Sequence, residues 1–189
     1  MQIETSKFVE LAEASNRVVL LDSEFSNLRA DFGTLICVSL RPLRGKTQTL
    51  CVEKLGNDRE IVAATMEELS KYGLVVTFYG TCADIPYLRS RALRWGLPDI
   101  PQVPHCDLYR VIRRATVLSR RNQGHLAEWL ALPDDAAKMK VSPNVWSELP
   151  TDATRNLQTL RKRCESDVQG LEALWHRSKH LIKTLGVTR

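Results

Sequence analysis

The segment Arg17–Phe25, RVVLLDSEF, is apolar and β-branched for four residues and then turns acidic without a break. A short continuous apolar run is the pattern of a strand covered on both faces, and so of a sheet lying between other layers. Residues two apart on a strand project to the same side, so Asp22 and Glu24 leave this strand together. A buried strand holds ionised side chains only where something compensates them. On an exposed strand Asp-x-Glu would be ordinary surface. After VVLL it becomes a candidate cation site, because carboxylate oxygens suit hard ions such as Mg2+ and Mn2+.

Downstream, LICVSLRPL (Leu35–Leu43) and TQTLCVEK (Thr47–Lys54) read as two more strands, joined through Arg44-Gly45-Lys46 into a three-strand antiparallel meander. Asn57 or Asp58 can cap a helix running to about Lys71, with Ile61, Met66 and Leu69 on its apolar side. LVVTFY (Leu74–Tyr79) is a second continuous apolar strand, and a helix follows from about Ala83 to Trp95, closed by Gly96 and Pro98. Val103–Tyr109 fits either a fifth strand or a loop. Gly124–Leu132 is helical, Pro133–Pro150 is a loop with at most one helical turn, and Asp152–Leu185 has helical periodicity. A short helix with Phe8 and Leu11 on one side precedes the first strand. Meander, helix, strand, helix describe one α/β domain over residues 1–189, a mixed sheet flanked by helices.

The composition narrows the setting. No apolar run approaches the roughly 20 residues that span a bilayer, and the first residues lack the pattern of a secretory leader. Five widely spaced cysteines without a C-x-x-C pair argue against a disulfide framework or a structural zinc site, and a reducing cytoplasm fits them. Most are expected as buried thiols. Net charge is +5, which permits a polyanionic partner without requiring one. Arg110, Arg113, Arg114, Arg120 and Arg121 form one basic group; Arg155, Arg161, Lys162 and Arg163 form another, just ahead of Asp167. Each could be a solvated face. Each also flanks carboxylates that would repel phosphate unaided.

Two further acids stand in informative places. Asp84 opens the helix after the second apolar strand, where an N-cap role is the plain alternative, and Asp167 lies in a helix beside Cys164, Val168 and Leu171. His176 and His180 share a helix face, but no third ligand is near them, so a solvated face is the better reading. Phosphate-binding glycine loops and a G-x-S-x-G nucleophile are absent from the sequence. The four tryptophans are expected mainly in the core, with Trp146 able to stack on a base.

Three stretches, VVLLDSEF, VVTFYGTCADIPYLRSR and RCESDVQGLEAL, resemble in order and separation the motifs of the DEDD 3′–5′ exonucleases of the ribonuclease H-like superfamily. They look most like the predicted exonucleases related to the proofreading domain of family B DNA polymerases. The resemblance spans residues 17–175. It implies a ribonuclease H-like fold and two divalent ions, Mg2+ or Mn2+, held by Asp22, Glu24, Asp84 and Asp167. It implies hydrolysis of single-stranded DNA or RNA from the 3′ end. The short length leaves open whether the chain works alone or serves a polymerase or helicase, and the lack of a long apolar run argues against a membrane role. Tyr79 and Ala83 replace the family's usual Asn and Phe, and Arg163 and Lys162 stand where the family carries a Tyr or His base. Arg163, one helical turn before Asp167, is an added candidate for stabilising charge on the scissile phosphate. A binding module of the same fold that hydrolyses little, and a ribonuclease H-like endonuclease, are the competing readings.

Overall fold

A computed structural model describes residues 4–133, 139–149 and 153–188. Helix α1 (Thr5–Ala14) leads into strand β1 (Val18–Phe25), followed by β2 (Leu35–Pro42) and β3 (Gln48–Cys51). Next come α2 (Arg59–Leu69), β4 (Leu74–Thr77), α3 (Asp84–Trp95) and β5 (Pro104–Asp107). Helices α4 (Leu108–Ala115), α5 (Gln123–Trp129), α6 (Asn144–Ser147) and α7 (Ala153–Ser178) follow, then a 3-10 turn and a short strand β6 (Gly186–Val187).

The six strands form one sheet in the order β3-β2-β1-β4-β5-β6. β1, β2 and β3 are the expected antiparallel meander, whereas β4 and β5 run parallel to β1. β1 and β4 lie inside the sheet with their apolar residues fully buried, which is why VVLL and LVV are continuous runs instead of alternating ones. Alternation still assigns the faces. Val19, Leu21, Val38 and Leu40 pack with Val62 and Met66 of α2 and Leu88 of α3. Val18, Leu20 and Val76 pack on the opposite side with Val9, Ile112, Leu171, Leu174 and Trp175. Asp22 and Glu24 continue the second set and therefore face α7.

Several expectations change. Val9 and Ala12 are the buried positions of α1, and Leu11 is exposed. Asp58 stands at the start of α2 but does not cap it: its carboxylate is fully buried and accepts from Leu35 N, Arg91 and Trp95 Nε1. The segment left open between strand and loop is strand β5, stabilised by parallel pairing with β4 that no local pattern displays. Directly after it comes a helix not anticipated, α4, with Leu108 and Ile112 buried and Arg110, Arg113 and Arg114 outward. The last helix stops at Ser178, well short of Leu185, because the chain's end pairs with β5 and Thr188 bonds Val103 and Pro101. Trp129 is exposed, not core. The loop expected over Pro133–Pro150 lies partly outside the described residues; within it, α6 is a single turn.

Candidate active site

Ligand-capable oxygens of Asp22, Glu24 and Asp167 all lie within 4.8 Å of one another. Two come from the end of β1 and the third from the face of α7 laid over that strand, 2% exposed. Helix α7 is pinned here from both sides. Cys164 Sγ donates to the Asp22 carbonyl at 3.3 Å, and buried Gln123 of α5 donates Nε2 to the Asp167 carbonyl at 2.7 Å.

Asp84 approaches from the other face of the sheet. It is 5% exposed and accepts a hydrogen bond from Ser23, whose side chain points away from those of Asp22 and Glu24. It stands outside the tight trio yet within its electrostatic reach. Burial pushes the Asp22 carboxyl well above the usual carboxylate range, and Cys164, Asp167, Asp84 and Glu24 each add to the push. Burial likewise raises Asp84 to about 6, against hydrogen bonds from Ser23 and backbone amides that pull it down. Such a group of acids disfavours its own ionised form, and a divalent cation is the partner its chemistry calls for.

Arg163 supplies one positive charge from the protein. Its Nε donates to Glu24 Oε1 at 2.5 Å and lies 3.9 Å from Asp167 Oδ2, while its guanidinium sits over the Trp146 ring at 5.1 Å. Trp146 thus meets Arg163 while also packing against the buried cluster of Ile36, Cys37, Leu149, Leu160 and Cys164. The first basic group is dispersed: Arg110 reaches Cys82 Sγ at 3.8 Å beside the β4–α3 turn, Arg113 and Arg114 are exposed on α4, and Arg120 lines a groove with Lys140, His125 and Arg163. His176 and His180 are exposed.

Sequence reasoning missed the residue that shapes the β4–α3 turn. Asp107 ends β5, is 6% exposed, and accepts from Tyr79 N at 2.9 Å, Thr81 N at 3.1 Å and Tyr109 N at 3.1 Å. It thereby fixes the loop that delivers Asp84. An acid ending a short apolar strand was the one available signal, and the register Thr77↔Asp107 supplies the rest. The turn is tight: a Cβ on Gly80 would stand 2.3 Å from Thr77 Oγ1. Tyr79 adopts φ 68, a left-handed conformation that Asn accepts more readily than Tyr, which accounts for the Asn usual at this position in the resembled family.

Beside the β4–α3 turn opens a groove of about 850 Å3, lined by Phe25, Tyr79, Cys82, Ala83, Pro86 and Tyr87 among others, and by none of the four acids. Phe25 and Tyr87 stack at 4.2 Å.

A search among curated proteins finds no match to this sequence. Among solved structures, the family B DNA polymerase of the hyperthermophilic archaeon Pyrobaculum calidifontis superposes with a TM-score of 0.65 at 19% identity, over 85% of this chain. The match takes in 24% of that polymerase, so the likeness concerns one part of a much longer protein. The model of the ribonuclease H superfamily matches residues 19–178, a span running from β1 to the last residue of α7. By this match, with a fold that agrees, the chain belongs to the ribonuclease H superfamily.

Proposed function

We propose that this chain is a metal-dependent 3′–5′ exonuclease acting on single-stranded nucleic acid. The observation that carries the reading is the convergence of Asp22, Glu24 and Asp167, from strand and helix, within 4.8 Å at the end of the sheet. Asp22, Glu24, Asp167 and Asp84 would hold two divalent ions, with Glu24 and Asp167 serving the attacking water and Asp84 the leaving group. When bound, Mg2+ or Mn2+ in such a pair activates water and stabilises the leaving 3′-oxygen.

The chain's own residues do the remaining work. The groove beside the β4–α3 turn is walled in part by exposed Tyr79, suited to stacking an unpaired base. Arg163 neutralises Glu24 and is the nearest protein cation to the reacting phosphate in this reading. A guanidinium stays protonated at neutral pH and cannot serve as the base that Tyr or His would be elsewhere in the family, so turnover is expected to be slow. Exposed Arg113 and Arg114 would contact phosphates without reading sequence.

Digestion of a 5′-labelled single strand, with Mn2+ and without, tests this. Stepwise shortening that disappears in Asp22→Ala is the expected result. Internal cuts would establish the endonuclease instead, and binding without cleavage would establish the binding module. Matched DNA and RNA strands decide the sugar, because only RNA offers a 2′-hydroxyl. Neutralising Arg113 and Arg114 together should flatten the dependence of log affinity on log salt by about 0.7 per lost contact.

A further inference from the structure

Below the acids lies a group of thiols that the hydrolytic reading does not use. Cys37 on β2 faces Cys51 on β3 in the antiparallel ladder, and both bear on Cys164 of α7 or the residues around it. The neighbouring Ile36–Val52 pair carries the backbone bond, Val52 N to Ile36 O at 2.9 Å. Bonded and non-bonded pairs alternate, so Cys37 and Cys51 occupy a non-hydrogen-bonded pair, where Cα atoms stand about 4.5 Å apart and side chains come closest. The next such pair on the same face, Ser39 and Thr49, shows how close: its hydroxyls are 2.9 Å apart. A disulfide accepts Cα separations of about 4.4–6.8 Å, so this pair can be bridged by side-chain rotation alone.

The two thiols differ in a useful way. Cys37 is fully buried on the interior strand β2, while Cys51 is half-buried on the edge strand β3. A hydrogen bond from Cys37 lowers the Cys51 thiol against the effect of burial, and Arg161 pulls the same way. Hydrogen bonds to Cys164 and Cys51, together with burial, raise the Cys37 thiol.

We propose that Cys51 and Cys37 form a reversible dithiol site, oxidised by hydroperoxides with Cys51 as the attacking thiol and Cys37 as the resolving one. The Cys51 thiolate attacks the peroxide oxygen; an S–O bond forms, the O–O bond breaks, and hydroxide or alkoxide leaves. The sulfur is oxidised by two electrons to a sulfenic acid and the peroxide is reduced. Cys37 then attacks that sulfur, forming S–S, and its proton departs with the hydroxide as water.

The exposed Cys82, which has no thiol partner among the described residues, serves as an internal control. The full chain is treated with hydrogen peroxide and mapped by peptide mass spectrometry. A Cys37–Cys51 crosslink, with loss of two hydrogens and full reversal by dithiothreitol, is expected. In Cys51→Ser the crosslink should vanish and Cys37 should stay reduced. Oxidation of Cys82 with Cys37 and Cys51 left as thiols would overturn the proposal, as would a Cys51 sulfinic acid without any crosslink. Should Cys51→Ser fold poorly, trapping of the sulfenic acid by dimedone in the native protein decides it: label on Cys51 at short times supports the order of events, and label on Cys37 overturns it.

Discussion

Two groups of buried charge sit within the same small sheet, and they are built on opposite principles. Around Asp58 everything balances. Arg91 clasps the carboxylate through Nε at 2.7 Å and Nη2 at 2.8 Å, Trp95 Nε1 and Leu35 N complete the shell, and Arg91 also donates to the Ala30 carbonyl. Burial alone would raise the Asp58 carboxyl; these donors outweigh it and leave it below its usual value. Around Asp22, acids gather against acids and push its carboxyl up, with Arg163 as a partial counterweight. Where burial serves architecture, the chain supplies its own counter-charge. In the function proposed above, the balance around Asp22 falls to a cation from outside.

The comparison breaks most visibly if the balanced group is disturbed. Arg91→Met should leave a fully buried carboxylate without its cation and cost about 3–5 kcal/mol, read as a lower denaturant midpoint. The unbalanced group should respond with the opposite sign. Raising Asp84 from 3.8 to about 6 costs the metal-free fold roughly 3 kcal/mol at neutral pH, so Asp84→Asn should gain up to that much stability in EDTA.

That gain has a defined pH window. A carboxyl whose folded pKa is raised binds its proton more tightly in the folded state, so its cost grows as pH rises from about 4 to 6. The difference between Asp84→Asn and the parent should therefore be full above pH 6 and vanish near pH 4. His105 acts oppositely in the same window. Burial lowers it from 6.5 to about 4, so its contribution is lost as pH falls through that range. The parent's own profile blends the two, and the difference between parent and variant separates them.

Metal should close the gap between the two groups. Mn2+ at a hundred times its dissociation constant adds about 2.7 kcal/mol to the folded state, visible as a higher Tm. No shift in the parent, or an undiminished shift in Asp22→Ala, would undo the contrast drawn above. A smaller effect concerns Tyr79→Asn, which relieves a left-handed tyrosine and should stabilise by about 1 kcal/mol, less whatever its edge contact with Tyr109 contributes.

The two charge groups also differ in how far they could be read beforehand. Asp22 and Glu24 were legible because strand periodicity is local and the run VVLL announces burial. Asp84 and Asp167 drew notice locally but were tied to that pair only through motif spacing, since what makes them neighbours is parallel pairing and helix docking across long stretches of chain. Asp58 was misread as a cap because its true partners, Arg91 and Trp95, lie on another helix. β6 escaped notice for a similar reason: Gly186 and Val187 carry no strand signal beyond the β5 edge they complete.

Helix α7 has a consequence for the order in which the molecule comes into being. It lies over β1 and β2, elements made more than a hundred residues earlier, and it carries Asp167, Cys164 and Arg163 to them. Contacts of such separation form late, because loop closure must precede any reward. During synthesis the meander can assemble while the chain still lacks its third acid. A growing chain would thus pass through a state that has most of its sheet but an incomplete acid cluster, and the full cluster would arise only after α7 has left the ribosome and settled into place.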